Sequence, residues 1–342
     1  MRNALGLMLA SVMTAIVITG VWFWTSSPRA AAAPPQTVAA RKAEPLPAPA
    51  KLALKDDVET TAALSKPAPA PAPVPATQPA RSACANPDAL GVSRMVVIDT
   101  TGGPGFGFLQ YKQFDFLTDK EVVLTFDDGP WPTTPAVLKA LADECTKGLF
   151  FPVGKHTTYH PEILKQVFNA GHTIGSHTWS HAHLDGKKMT EPQVREEIEK
   201  GFSAVKMAIG TAPAPFFRFP GLGHTQPALG YLASRNISMF SVDVDSNDFK
   251  SSGPDQVIQN VMTKLDKQGK GIILMHDLQK HTALALPTLL RRLKAGGYKV
   301  VQMRAKEQLE TLPEYDAMLV KDQKVPAVAS RPISSVVQTV SQ

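Results

Sequence analysis

The stretch Glu121-Val-Val-Leu-Thr-Phe-Asp-Asp-Gly-Pro130 sets two adjacent carboxylates on a Gly-Pro turn straight after an apolar run. Apolar residues at this density, closed off by a turn signal, predict a strand over 121–126. A second fragment, Ser176-His-Thr-Trp-Ser-His181, puts two imidazoles four residues apart. That spacing aims both from one face of a helical turn at a single ion. Two histidines and one aspartate make three protein ligands and leave a position open for water, the ligand count of a catalytic rather than a closed structural zinc site. The remaining aspartate is a candidate general base.

Outward from residue 121 the chain alternates apolar runs with amphipathic segments. Strands are expected at 121–126, 148–153, 172–175, 215–219, 238–243, 271–275 and 298–303. Helices are expected at 135–146, 161–170, 191–208, 226–235, 254–268 and 283–296. This alternation predicts an α/β fold with parallel strands. Asp127, Asp128, Arg218, Asp245 and His276 each fall at or just past the end of a strand. In a (β/α) barrel those ends converge on one face, so a barrel is favoured over an open sheet. The glycine-rich run at 101–107 lacks the strand–turn–helix context and the lysine of a phosphate loop, and reads as a loop or hairpin.

The 342 residues are not all globular. Residues 4–24 are uncharged and mostly apolar, enough for a membrane span, and Ala30–Ala33 would suit a signal peptidase. Residues 1–27 are therefore read as a signal anchor or signal peptide that places the protein outside the cytoplasmic membrane, tethered or secreted. Residues 28–82 are Pro/Ala-rich and behave as a disordered linker. The folded catalytic domain is expected over 83–318, with a loose tail at 319–342. The formal net charge is +6, but the positive residues are spread along the chain without aromatic interleaving, so nucleic acid is not the expected partner. The two cysteines, Cys84 and Cys145, are compatible with one disulfide that pins the chain before the domain to its first helix.

Thr125-Phe-Asp-Asp-Gly-Pro130, Ser176-His-Thr-Trp-Ser-His181, Arg218-Phe-Pro220, Asp245-Ser-Asn-Asp-Phe249 and Ile272-Ile-Leu-Met-His276 occur in that order. Together they resemble the five motifs of the polysaccharide deacetylases with a NodB homology domain, carbohydrate esterase family 4. The resemblance spans roughly 120–305 and implies a distorted (β/α) barrel of parallel strands. It further implies Asp128, His177 and His181 as ligands of a divalent metal, usually zinc, with cobalt or another divalent ion as substitutes. Asp127 is implied as base and His276 as acid, with Arg218 orienting Asp127 and Asp245 pairing with His276. Asp243 and Asp248 remain near alternatives to Asp245. His156 and His160 share the four-residue spacing but match no ligand of the family.

Two positions depart from the family pattern. Gly221 stands where an aromatic usually follows the proline, and Phe249 stands in place of a tryptophan. Together with Trp179 as a stacking surface for a sugar ring, these are the expected substrate-binding positions. His183 and His281 are close enough in sequence to line the groove. The function expected is metal-dependent removal of N-acetyl groups from N-acetylglucosamine units of an envelope polysaccharide, either peptidoglycan or a chitin-like oligosaccharide. An O-acetyl esterase acting on xylan-like glycans and a silent glycan-binding or scaffold module are the alternatives.

Overall fold

A computed structural model describes residue 84 and residues 86–186 and 188–322. These fall in the second of two compact units, Thr77–Gln342. The apolar segment at 4–24, the linker at 28–82 and the tail after 322 lie outside the described residues. Among the described residues no helix is long and apolar enough to cross a membrane.

In chain order the elements are β1 (Arg94–Ile98), β2 (Gly105–Phe106), β3 (Glu121–Asp127), α1 (Thr134–Asp143), β4 (Leu149–Phe151), α2 (Gly154–Tyr159), α3 (Pro161–Asn169), β5 (Thr173–Ile174) and α4 (Glu191–Ile209). There follow β6 (Phe216–Phe217), α5 (Gln226–Ser234), β7 (Ser238–Phe240), β8 (Val244–Asp245), α6 (Pro254–Gln268), β9 (Gly271–His276), α7 (Lys280–Ala295), β10 (Lys299–Ala305) and α8 (Pro313–Asp322). Short 3-10 turns lie at Pro220–Leu222 and Asp248–Lys250.

All the strand pairings are parallel. The fully buried β3 is the hub, beside β9 from Val122 to Asp127 and beside β4 from Thr125 to Asp127. The ladder continues from β4 to β5, crosses to β6 by the Ser176–Phe217 bridge, and reaches β7; on the other side β9 pairs with β8. No ladder among the described residues joins β7 to β8, so the ring of strands is a distorted barrel. β10 and β1 extend it on one side.

Side-chain parity along β3 divides the core. Val122, Leu124 and Phe126 pack outward against Leu141 of α1, Leu164 of α3 and Leu289 of α7. Val123 points the other way, into a second cluster with Phe151, Phe216, Phe240 and Ile272. Thr125 and Asp127 share the parity of Val123, which is why a carboxylate at the end of an apolar strand turns into the barrel mouth rather than toward the helices.

Several expectations shift in detail. The candidate strand 238–243 splits into β7 and β8, and the glycine-rich run contributes β2, which pairs in parallel with β7 instead of forming a hairpin. The helix α8 runs past the expected domain end at 318, because Leu319 on its inner face is 1% exposed and Asp316 meets Lys206 of α4 at 2.8 Å. Cys84 and Cys145 are disulfide-bonded with their Cα atoms 5.8 Å apart, fastening the chain before β1 to the end of α1.

The bridge closes a 61-residue separation, for which chain entropy gives on the order of 4 kcal/mol of stabilisation. A thiol assay on unreduced, denatured protein should find none free. Cys145→Ser should lower the unfolding free energy measured in urea by about 2–4 kcal/mol; an unchanged midpoint would show the link to be dispensable.

Candidate metal centre and acid–base site

At the end of β3 the Asp127 carboxylate is 2% exposed and accepts a hydrogen bond from Arg218 Nη1 at 2.7 Å. Arg218 is wholly buried. Its Nη1 also donates to Thr125 Oγ1 at 2.7 Å, Nε donates to the Phe240 carbonyl and Nη2 to the Ser241 carbonyl. The guanidinium lies 4.5 Å over the Phe151 ring. Burial pulls its pKa below the usual value, and the Asp127 charge opposes that pull. Fixed on both sides, Asp127 has one oxygen on the arginine and the other 3.9 Å from His177 Nε2.

One residue on, Asp128 has φ = +73°. Its Oδ1 lies 3.4 Å from His177 Nε2 and 3.2 Å from His181 Nε2, and the three ligand atoms fall within 4.8 Å of one another. Burial works against the charge of Asp128, but the close His181 contact and the charges of the neighbouring imidazoles hold its carboxyl well below the ordinary range. The buried Oδ1 has no conventional hydrogen-bond partner among the described residues. His177 Nδ1 donates to the Arg218 carbonyl at 2.7 Å, which leaves the Nε2 lone pair facing Asp128. An orphaned carboxylate oxygen beside two imidazole nitrogens fits a divalent cation, and a donor set of two nitrogens and one oxygen suits zinc.

The histidine spacing works differently from the helical turn expected of it. Residues 176–181 form an irregular loop with Thr178 and His181 at φ = +67° and +60°. The Gly154 and Lys155 N–H groups donate to the carbonyls of Thr178 and Trp179, and Glu197 of α4 accepts from the Ser180 N–H and hydroxyl. The His177 and His181 rings therefore come within 5.1 Å through a pinned loop, not through helix periodicity.

His276 ends β9 beside Asp127 in register. Its Nε2 is 4.0 Å from Asp128 Oδ2. Its Nδ1 bonds Asp248 Oδ1 at 2.7 Å, and its backbone N–H donates to Asp248 Oδ2 at 2.7 Å. The second oxygen of Asp248 also accepts from Thr282 Oγ1. Burial would depress the imidazolium, but the Asp248 hydrogen bond and charge outweigh it and raise His276 to about 9.

The expected partner, Asp245, does not reach His276. Its Oδ1 accepts the Asn247 N–H at 2.8 Å and closes a turn through Asn247 at φ = +50°. That turn carries Asp248 back under the imidazole, so Asp248 takes the place expected of Asp245.

The three expected substrate positions separate. Phe249 is half exposed and stands edge-on to His276 at 5.5 Å, a wall beside the acid. Gly221, at φ = +61°, has its missing side chain's space taken by His183: a Cβ there would lie 2.6 Å from the His183 ring. His183 also sits 6.0 Å from His181, so it lines the site as its position suggested. Trp179 is no platform. Its ring packs against Gly154, and Lys200 Nζ lies 4.5 Å over it, wedging it between α2 and α4.

Two further groups were not legible beforehand. Asp277 is buried behind the Asp127–Asp128 turn, accepts from Thr134 Oγ1 at 2.5 Å, and is pushed up to about 7 by burial. A Cβ on Gly129 would strike its carboxylate, so only glycine fits there. His156 Nδ1 donates to the Asp128 carbonyl at 2.6 Å, steadying the backbone of the proposed metal carboxylate. The pairing of a carboxylate directly after His276 with glycine after Asp128 was the available signal for the first; for the second there was none.

The sequence profile described as polysaccharide deacetylase matches residues 116–240. The chain is 33% identical over 188 residues to the peptidoglycan-N-acetylglucosamine deacetylase PgdA of Listeria monocytogenes, covering 54% of this chain and 38% of that relative. It is 32% identical over 203 residues to a peptidoglycan-N-acetylglucosamine deacetylase of Bacillus cereus, covering 54% of this chain and 86% of that one. Among solved structures, the Bdellovibrio bacteriovorus peptidoglycan deacetylase Bd3279 is similar with a TM-score of 0.56 at 32% identity, covering 63% of this chain and 59% of its own.

Metal content tests the ligand set directly. Protein reloaded with zinc and dialysed should retain one ion per chain by elemental analysis. His177→Ala and His181→Ala should each fall well below that; either variant retaining a full equivalent would remove that histidine from the set.

Proposed function

As the chain belongs to the polysaccharide deacetylase family, we propose that it hydrolyses N-acetyl groups from N-acetylglucosamine units of an envelope polysaccharide. One observation carries the reading: a buried carboxylate and an imidazole held protonated both stand beside a single ligand set. Asp127 lies 3.9 Å from one ligand histidine and His276 lies 4.0 Å from the ligand aspartate. Acetamide hydrolysis needs those two groups, one to take a proton from water and one to give a proton to nitrogen.

Asp128, His177 and His181 would hold one divalent ion, zinc by donor type. When bound, such an ion polarises a carbonyl oxygen and acidifies water to near neutrality. Arg218 holds and aims Asp127 through one oxygen, so that the other stays free to accept the proton of the attacking water. The acetyl C–N bond breaks only as nitrogen is protonated, since an amide anion is too basic to depart. Asp248 keeps His276 charged for that donation, with the proton on Nε2 facing the site. The products are acetate and a free sugar amine.

The Listeria and Bacillus relatives carry peptidoglycan N-acetylglucosamine in their names, which supports peptidoglycan as the polymer here. The apolar segment at 4–24 and the Pro/Ala-rich linker fit an enzyme held near the membrane's outer face.

Acetate and primary amine should appear in equal amounts when zinc-loaded protein meets N-acetylglucosamine oligomers or peptidoglycan, and a chelator should stop both. Acetate from acetylated xylan alone would favour the esterase. Asp127→Asn should keep its metal and lose roughly 10²–10⁴-fold in kcat; near-normal turnover would remove Asp127 as base.

The pH profile tests the acid. Protonated His276 is the active form, so activity falls as pH rises through its raised pKa. Asp248→Asn removes the charge that raises it, and the alkaline limb of kcat/KM should move to lower pH by about 1–3 units. An unmoved limb would separate His276 from the rate-determining proton transfer.

A further inference from the structure

Just after the Asp127–Asp128 turn and at the end of α2, the chain exposes aromatic side chains that take no part in the proton transfers. Trp131 is 37% exposed and Tyr159 is 63% exposed. The Trp131 ring centroid lies 5.0 Å from that of His156 and 5.3 Å from that of His160, the second edge-on. Tyr159 extends the same patch beyond His156 at 6.4 Å. Contiguous exposed apolar surface of this kind is what ligand and partner sites are built from.

Two connections tie the patch to the site. His156 donates from Nδ1 to the Asp128 carbonyl at 2.6 Å, so the ring beneath Trp131 is also the ring that steadies the proposed metal carboxylate. The Trp131 backbone N–H donates to Thr134 Oγ1 at 2.9 Å, and that hydroxyl donates to buried Asp277. The tryptophan is therefore mounted on the rigid turn rather than on a free loop. A preformed aromatic surface binds with little ordering cost.

We propose that Trp131, backed by His156 and His160 and extended by Tyr159, is a saccharide-stacking subsite for a sugar unit next to the one being deacetylated. The apolar C–H face of a pyranose lies flat on an indole, and His and Tyr edges offer hydrogen bonds to its hydroxyl rim. Phe249 walls the acid side at His276, whereas Trp131 follows the metal turn on β3. The polymer is thereby gripped at a unit beyond the reacting one, which makes the enzyme prefer chains to single sugars. The inference rests on the deacetylase reading for its substrate.

The test compares wild type, Trp131→Ala and Trp131→Phe on the dimer and pentamer of N-acetylglucosamine, with KM and kcat separated. For Trp131→Ala the pentamer KM should rise about tenfold, the size of one lost stacking contact. Its kcat should fall much less, and the preference for pentamer over dimer should collapse. Trp131→Phe should recover most of the preference. Equal proportional losses on dimer and pentamer, or a fall confined to kcat, would overturn the subsite and make the ring a prop of the metal turn. Tryptophan fluorescence on adding pentamer gives a readout independent of turnover. A signal present in wild type and missing in Trp131→Phe supports the subsite even if no acetate is released, in which case only the deacetylase reading fails. The same signal in both proteins, or none in wild type, overturns the subsite itself.

Discussion

A fully buried arginine paired with a fully buried aspartate is the constraint around which the rest of the site is arranged. Arg218 spends its donors on Asp127, on Thr125 beside it in β3, and on the carbonyls of Phe240 and Ser241. Those carbonyls lie where the chain leaves β7 and before β8 begins, the stretch at which the barrel ladder lapses. One guanidinium thus ties the β7 edge of that gap to β3 and fixes the proposed base. A buried charge left without its partner costs about 3–5 kcal/mol, so the pair is held by stability as well as by chemistry. The Arg218 backbone adds a third task, since its carbonyl sets the tautomer of His177.

Backbone conformation is the second ingredient. Asp128, Thr178 and His181 all have positive φ, a region that costs non-glycine residues of order 1–3 kcal/mol each. Each is held from outside: His156 donates to the Asp128 carbonyl, Gly154 N–H donates to the Thr178 carbonyl, and Glu197 accepts from the Ser180 N–H just before His181. The helix α2 that supplies Gly154 and His156 is only six residues long. Its place in the fold makes sense as a clamp on two strained ligand loops more than as a packing element.

These points explain which parts of the molecule could be read from sequence. The long elements were legible because β3, β9 and the helices between them are regular enough for apolar periodicity to register, and Asp127, Asp128, His177, His181, Arg218 and His276 converge because strand ends in a barrel share one face. The partner of His276 was not legible. Asp245, Ser246, Asn247 and Asp248 form a turn, and the choice between the two aspartates depends on an αL asparagine that spacing cannot reveal. Residues four apart likewise meet in a helix or in a pinned loop, and the sequence at 176–181 fits either. The elements β2, β5, β6 and β8 are two residues long each, too short for periodicity to set their bounds.

The departures from the family pattern acquire a physical meaning together. At Gly221 the absent side chain leaves room that His183 fills, and a Cβ at that position would meet the imidazole at 2.6 Å. The pairing puts, where an aromatic is expected on one loop, a polar ring carried by the loop that holds His181. Phe249 keeps an apolar edge against His276 but offers no N–H. The stacking surface expected after Pro220 is thus absent beside the loop that holds His181, whereas Trp131 is exposed just past the Asp127–Asp128 turn. On the proposed reading a glycan is held less at the reacting sugar than at its neighbour, so that recognition and chemistry would lie on adjacent units of the polymer.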